Sequence, residues 1–197
     1  APAMWLRVFV SLRRGIVAQG CEAGGHSGFD ELSTFVLVPQ VVDAVKIPVI
    51  AAGGIADARG LIAALALGAE GVQMGTRFLA SHECIAHRNA KEAVVKAGDT
   101  DTVMTCRRLG PRRTLRNELT TKLVEMESAG ASAHDIEALL GTSRARKGEL
   151  DGDLVNGIVY CGAIAGMIKK IVSAEEVVKS IVQGSESVIT RLNKLGA

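Results

Sequence analysis

Three short apolar runs, each stopped by glycine, constrain the fold of this chain more than any other feature. Ile16-Val17-Ala18 breaks into a loop carrying Gly20, Gly24, Gly25 and Gly28. Val49-Ile50-Ala51-Ala52 runs into Gly53-Gly54, and Gly71-Val72-Gln73-Met74 into Gly75-Thr76. Runs this short, separated by segments of helical spacing, read as buried strands. Leu37, Val41, Val42 and Val45 recur at helical spacing, with Ser33 as N-cap and Pro39 in the first turns; Lys46-Ile47-Pro48 ends that helix. Asp57 caps a second helix, Ala58 to Leu67, which Gly68 stops. Strand, helix, strand, helix, strand with short connections is the βαβ rhythm of a parallel sheet.

Beyond the third run, the spacing predicts a helix over 84–97, ended by Gly98, and one more strand at Thr102-Val103-Met104-Thr105. Arg107, Arg108, Arg112, Arg113 and Arg116 then crowd around Gly110-Pro111. Helices are expected over 115–129, 133–140, 154–172 and 174–194, with turns at Gly130, Gly141 and Gly152. Gly162-x-x-x-Gly166 would let helices approach closely. Residues 1–14 fit none of this, and with no Met at position 1 the chain reads as starting partway through a longer protein.

Composition narrows the class. A chain of 197 residues can bury one sizeable core, and 48% hydrophobic with only 3% aromatic residues suits α/β packing better than an aromatic-cored sandwich. A net charge of +2 makes no case for nucleic acid. No apolar run reaches the roughly 18 residues of a membrane span. Arginines interrupt and follow the first apolar segment, unlike a signal peptide. Cys21, Cys84, Cys106 and Cys161 are scattered with no CxxC, as expected of reduced thiols in a cytosolic protein without a metal site.

The chemistry concentrates in the first glycine loop and its two neighbours. In a parallel sheet or barrel all three loops emerge at the carboxyl end. Glycine turns on neighbouring strands then aim backbone N–H groups at one spot suited to a phosphate, and the Thr76 hydroxyl can add a donor. His26 stands among glycines at a strand end. Its ordinary pKa of about 6.5 suits proton donation or hydrogen bonding near neutrality. Glu22 reads as orienting the loop. A Cys21–His26 nucleophile lacks any recognisable oxyanion hole. His82 and His87 do not fit the i, i+4 spacing of a helical metal pair and read as solvated. The arginine cluster is either a solvated surface or a site for a phosphate such as that of NADP or phosphopantetheine.

The stretches AQGCEAGGHSG, PVIAAGGIAD and GVQMGTRF resemble the motifs of the nitronate monooxygenase (2-nitropropane dioxygenase) family, over roughly residues 15–182. These are FMN-dependent TIM-barrel enzymes, and the family includes flavin-type enoyl-acyl-carrier-protein reductases. The looser neighbour, inosine monophosphate dehydrogenase, shares the AAGGI-like and GT turns but has a cysteine loop where this chain has His26. The resemblance implies that Gln19 and Gly24 lie against FMN, and that Gly53 and Gly54 bind its phosphate through backbone N–H. Gln73, Met74, Gly75 and Thr76 would complete the phosphate and ribityl cradle, and His26 would face the substrate as the catalytic residue.

A complete (β/α)8 barrel takes about 250 residues. The expected fold class is therefore α/β, a partial TIM barrel (the C-terminal half). Residues 15–106 would carry the βα units and 107–197 a basic loop and helical region. The expected activity is oxidation of alkyl nitronates by molecular oxygen. The alternatives are NAD(P)H-dependent reduction of an enoyl thioester, which the stretch from RRLGPRRTLRN to GELDGDLVNGIVYCGAIAGMI favours, and an inactive half barrel. The implied partner is a small molecule, nitronate or enoyl thioester, with no nucleic acid and no membrane; a homodimer is left open.

Overall fold

The computed structural model describes residues 15–195; the atypical segment 1–14 and the last two residues lie outside it. The first three apolar runs form a parallel sheet: β1 (Ile16–Gln19), β3 (Val49–Ala52) and β4 (Gly71–Gln73), in the order β1-β3-β4. Two crossover helices cover it, α1 (Thr34–Ala44) and α2 (Ala58–Ala66). Ile16, Ala18, Val49 and Ala51 pack beneath Val38 and Val41 of α1 and Ala64 of α2. Both helices end where the sequence places their stops. Pro39 is tolerated inside α1 although it removes a donor, because Thr34, Val38 and Val41 still bury one face. Asp57 caps α2 as expected, its carboxylate accepting the N–H of Arg59 at 2.9 Å.

The remaining chain departs from the sequence reading. Thr102–Thr105 is a strand (β5), but it does not extend the parallel sheet. It pairs antiparallel with β6 (Arg112–Leu115), which pairs antiparallel with β2 (Gly25–His26). The arginine-rich stretch thus contains a strand rather than only a basic loop, and both faces of its C-terminal end are covered, burying Thr114 and Leu115. The described residues form two three-stranded sheets, not four successive parallel strands.

Helices α3 (Thr76–Leu79), α4 (Arg88–Lys96), α5 (Glu118–Ser128), α6 (Ala133–Leu140), α7 (Arg144–Glu149) and α8 (Ala174–Asn193) complete the set. Helix α5 starts at Asn117, whose side chain accepts from Thr120 N–H in a capping box. Helix α8 lies along α2, close enough that a Cβ on Gly184 would stand 2.9 Å from that of Ala58. Among the described residues no helix is long and apolar enough to cross a membrane.

The helix expected over 154–172 is absent; only a 3-10 turn forms, at Ala163–Met167. The glycines there serve close backbone approach across the fold. A Cβ on Gly162 would sit 2.7 Å from the Glu22 carbonyl oxygen, and one on Gly166 2.9 Å from Asp99 N. Gly157 abuts the backbone of Gly148 so tightly that neither position has room for a side chain. The GxxxG spacing does mark close packing, but between irregular segments rather than helices.

Candidate functional site

Parallel register fixes the geometry of the site. Gln19 is paired with Ala52 and Ala52 with Gln73, so the three strands end in one row and their glycine loops leave from the same edge. The loops border a cavity of about 850 Å³, within the range of small-molecule sites. Gln19, Gly24, Gly53, Gly54, Gln73, Met74, Gly75 and Thr76 all line it. Gly53 and Gly54 adopt φ of +91° and +72°, a conformation that glycine alone takes without strain. Beyond Gly75, which has no atom within 4 Å of a would-be Cβ, helix α3 begins and its first N–H groups have no intrahelical acceptor.

Glu22 sits at the start of α1. Its carboxylate accepts the Thr34 N–H at 2.9 Å and the Thr34 hydroxyl at 2.9 Å, while Ser33, the N-cap, contributes no side-chain bond. The Thr34 hydroxyl also lies 2.9 Å from the Gly53 carbonyl oxygen. Glu22 thus ties the first glycine loop to the start of α1 and packs against Gly54 of the second, its Cβ 3.5 Å from where a Cβ on Gly54 would stand, in keeping with the orienting role read from the sequence. Hydrogen bonds to a charged group contribute roughly 1.5–3 kcal/mol each.

Other site residues are also structural joints. Gln19 Nε2 donates to the His26 carbonyl at 2.7 Å, closing the loop between β1 and β2. Gly162 N–H donates to the Thr76 hydroxyl at 2.8 Å, so Thr76 accepts there and keeps its own proton to donate. Gly24 has no space for a Cβ, which would lie 2.8 Å from the Cys161 carbonyl carbon. His26 is exposed at the end of β2 and is not part of the cavity wall; its ring meets that of Tyr160, which is, at 5.9 Å between centroids.

Residues 13–184 match the nitronate monooxygenase family. The chain belongs to this family. A probable nitronate monooxygenase of Staphylococcus saprophyticus is 49% identical over 57% of this chain and 34% of its own length. FabK from Thermotoga maritima superposes with a TM-score of 0.85 at 43% identity, over 92% of this chain and 57% of that one. Nitroalkane oxidase from Streptomyces ansochromogenes gives 0.74 at 30% identity, over 90% and 53%. The chain therefore spans about a third of that curated relative and little more than half of those solved structures.

The far side of the family cavity is built from residues that carry no sequence motif. The loop Ser81 to Ala86 contributes Glu83, Cys84 and Ile85, and α7 with its C-cap contributes Arg146, Glu149 and Leu150. Glu149 is half-buried, and burial pushes its carboxyl above the usual carboxylate range, partly offset by the N–H it accepts from Tyr160. The sequence reading assigns no element to the GELDGD stretch, which falls between the helices expected over 133–140 and 154–172. Cys21 is no activated nucleophile, because burial and then the Glu22 carboxylate push its thiol up. Cys161 is pushed up to about 12, chiefly by burial. His87 is exposed, as read from the sequence, and in addition its Nδ1 accepts the Asn89 N–H at 3.1 Å and caps α4.

The arginine cluster is occupied elsewhere. Arg107 pairs with Glu31 at 2.6 Å, Arg113 donates to the Cys21 carbonyl at 2.9 Å, and Arg112 donates to the Gly110 carbonyl at 3.3 Å. None of these arginines lines the cavity, whereas Arg146 does.

Proposed function

We propose that this protein is an FMN-dependent oxidoreductase that oxidises alkyl nitronates with molecular oxygen. The observation that carries the reading is the row of glycine turns at the carboxyl edge of β1, β3 and β4, opening on one cavity. The residues present fit a flavin mononucleotide. The turn at Gly53-Gly54 supplies backbone N–H groups, Gly75 leaves open space beside the first turn of α3, and Thr76 retains a hydroxyl proton. When bound, FMN supplies two-electron redox chemistry. Gly53, Gly54, Gly75 and Thr76 would hold its phosphate, with Gln19, Gly24, Gln73 and Met74 along the rest of the group. His26, outside the cavity wall but with its ring against Tyr160 of that wall, is the candidate acid or hydrogen-bond donor.

A second reading, NAD(P)H-dependent reduction of an enoyl thioester at the same site, is favoured by one observation. Ile85 and Leu150 line the cavity while remaining 86% and 44% exposed, an apolar rim suited to an acyl chain. The assay that separates the two is oxygen uptake with propyl-1-nitronate and no nicotinamide, against NAD(P)H consumption with a crotonyl thioester. Oxygen uptake alone supports the first reading, and nicotinamide consumption alone replaces it with the second. Neither activity in the flavin-loaded protein contradicts both and leaves the inactive half barrel.

A further inference from the structure

Tyr160 is the chain's only tyrosine, and it joins three parts of the site. Its half-buried ring forms part of the cavity wall and packs against His26, the planes inclined at 49°. The ring also lies beside the Gly25 backbone, its Cγ 3.9 Å from where a Cβ on Gly25 would stand. The main chain of Tyr160 is fixed on both sides. Its N–H donates to Glu149 Oε1 at 2.9 Å, it forms an antiparallel bridge with Thr114, and the next residue is the fully buried Cys161. Glu149 is itself anchored, since its peptide carbonyl accepts the His87 N–H at 2.6 Å.

The phenol hydroxyl, in contrast, bonds to no described residue and is not a buried orphan. A tyrosine with its apolar body held and its polar tip available is suited to orienting a ligand in a largely apolar cavity. Tyr160 thus both meets the His26 ring and lines the cavity.

We propose that Tyr160 is a substrate-contacting residue whose hydroxyl hydrogen-bonds a negatively polarised oxygen of the substrate, with Glu149 as the positioning residue that holds it in place. The oxygen is that of a nitronate or of a thioester carbonyl; the assignment rests on the oxidoreductase reading above for the substrate's chemistry. Glu149 acts through its bond to the Tyr160 main chain and does not itself react.

The test uses flavin-loaded protein carrying 13C-labelled tyrosine, which gives one tyrosine spin system, titrated separately with propyl-1-nitronate and with crotonyl pantetheine. The Tyr160 resonance is expected to move with one of them, and the probe that moves it identifies the source of the oxygen. Tyr160→Phe keeps the ring and should retain the flavin, but should weaken that probe roughly tenfold or more, as for loss of a hydrogen bond to a charged or polarised group. Glu149→Gln preserves an acceptor for the Tyr160 N–H and should keep the affinity. Glu149→Ala should lose it, whereas a merely structural Glu149 would lower thermal stability and leave probe affinity unchanged. Failure of the parent protein to take up flavin removes the functional reading, and this assignment with it. Flavin uptake with an unmoved Tyr160 resonance at saturating probe, equal affinity in Tyr160→Phe, or binding of neither probe overturns the assignment alone.

Discussion

Residues 16–79 and residues 80–172 both wall the same cavity, yet they are held together in different ways. The first region is a regular βαβ layer whose core residues recur at strand and helix spacing, so each contact has neighbours that share its load. The second region has no such layer: its short antiparallel strands and loops, like the glycine loops at the edge of the first region's sheet, are locked by glycines at which two backbones touch. The difference shows where tolerance and fragility lie. A regular layer loses a little with each substitution, while a backbone-to-backbone contact has no side chain that can give way.

The largest expected effect tests that contrast directly. Gly148→Val places a branched side chain where a Cβ alone would lie 2.6 Å from the Ile158 carbonyl carbon. It should cost about 4 kcal/mol or more, enough to unfold a marginal domain. Gly28→Ala, with nothing within 4 Å of the new Cβ, should change stability by about 0.5 kcal/mol or less. Urea denaturation of both variants measures the pair, and equal midpoints would erase the distinction between close-contact and open glycines.

Next in size is His26→Ala. His26 lies on β2, where the two regions meet, and the proposed phosphate cradle, Gly53, Gly54, Gly75 and Thr76, is on other loops. Turnover should fall by roughly 10²–10⁴ with flavin content unchanged. Normal turnover, measured on whichever substrate the parent uses, would remove His26 from the mechanism.

Within the regular region, Thr34→Val preserves shape but deletes the hydroxyl whose one proton is shared between the Glu22 carboxylate and the Gly53 carbonyl. The loss should be about 1–3 kcal/mol by thermal or urea unfolding, because a carboxylate is left with one donor fewer. A variant as stable as the parent would show that this hydroxyl does not help tie the first glycine loop to α1.

The smallest effect is one of reactivity. Burial and the Glu22 carboxylate favour the neutral form of the Cys21 thiol, so at a given pH less of it is thiolate than for a free thiol. Alkylation of native Cys21 by iodoacetamide should therefore be slower than that of a free thiol at pH 8 and should rise at higher pH. Rapid labelling at pH 7 would reinstate the nucleophile reading.

The sequence was legible where structure is local. Asp57, Gly53-Gly54 and the three apolar runs each act within a few residues of their own position, and β1, β3, β4, α1 and α2 stand as read. Ser33 marks the start of α1 but does not cap it; the capping carboxylate is Glu22, on a loop that only folding brings there. Gly157, Gly162 and Gly166 looked compatible with a helix because their partners are distant backbone segments that leave no periodic trace. Tyr160, Glu149 and Arg146 were missed as cavity residues for the same reason. Each lies in an irregular or short element whose orientation depends on contacts with β6, α4 and the first glycine loop.

The account depends most on FMN being held by the glycine turns, and flavin binding measures that without reference to any substrate. Purified protein should be yellow, and denaturation should release FMN detectable by absorbance; apoprotein titrated with FMN should change flavin fluorescence to saturation. Gly54→Val, which forces a branched residue into φ +72°, should weaken that binding roughly tenfold or more, because the strain is on the order of 1–3 kcal/mol. A colourless protein that remains colourless with added FMN would contradict the account.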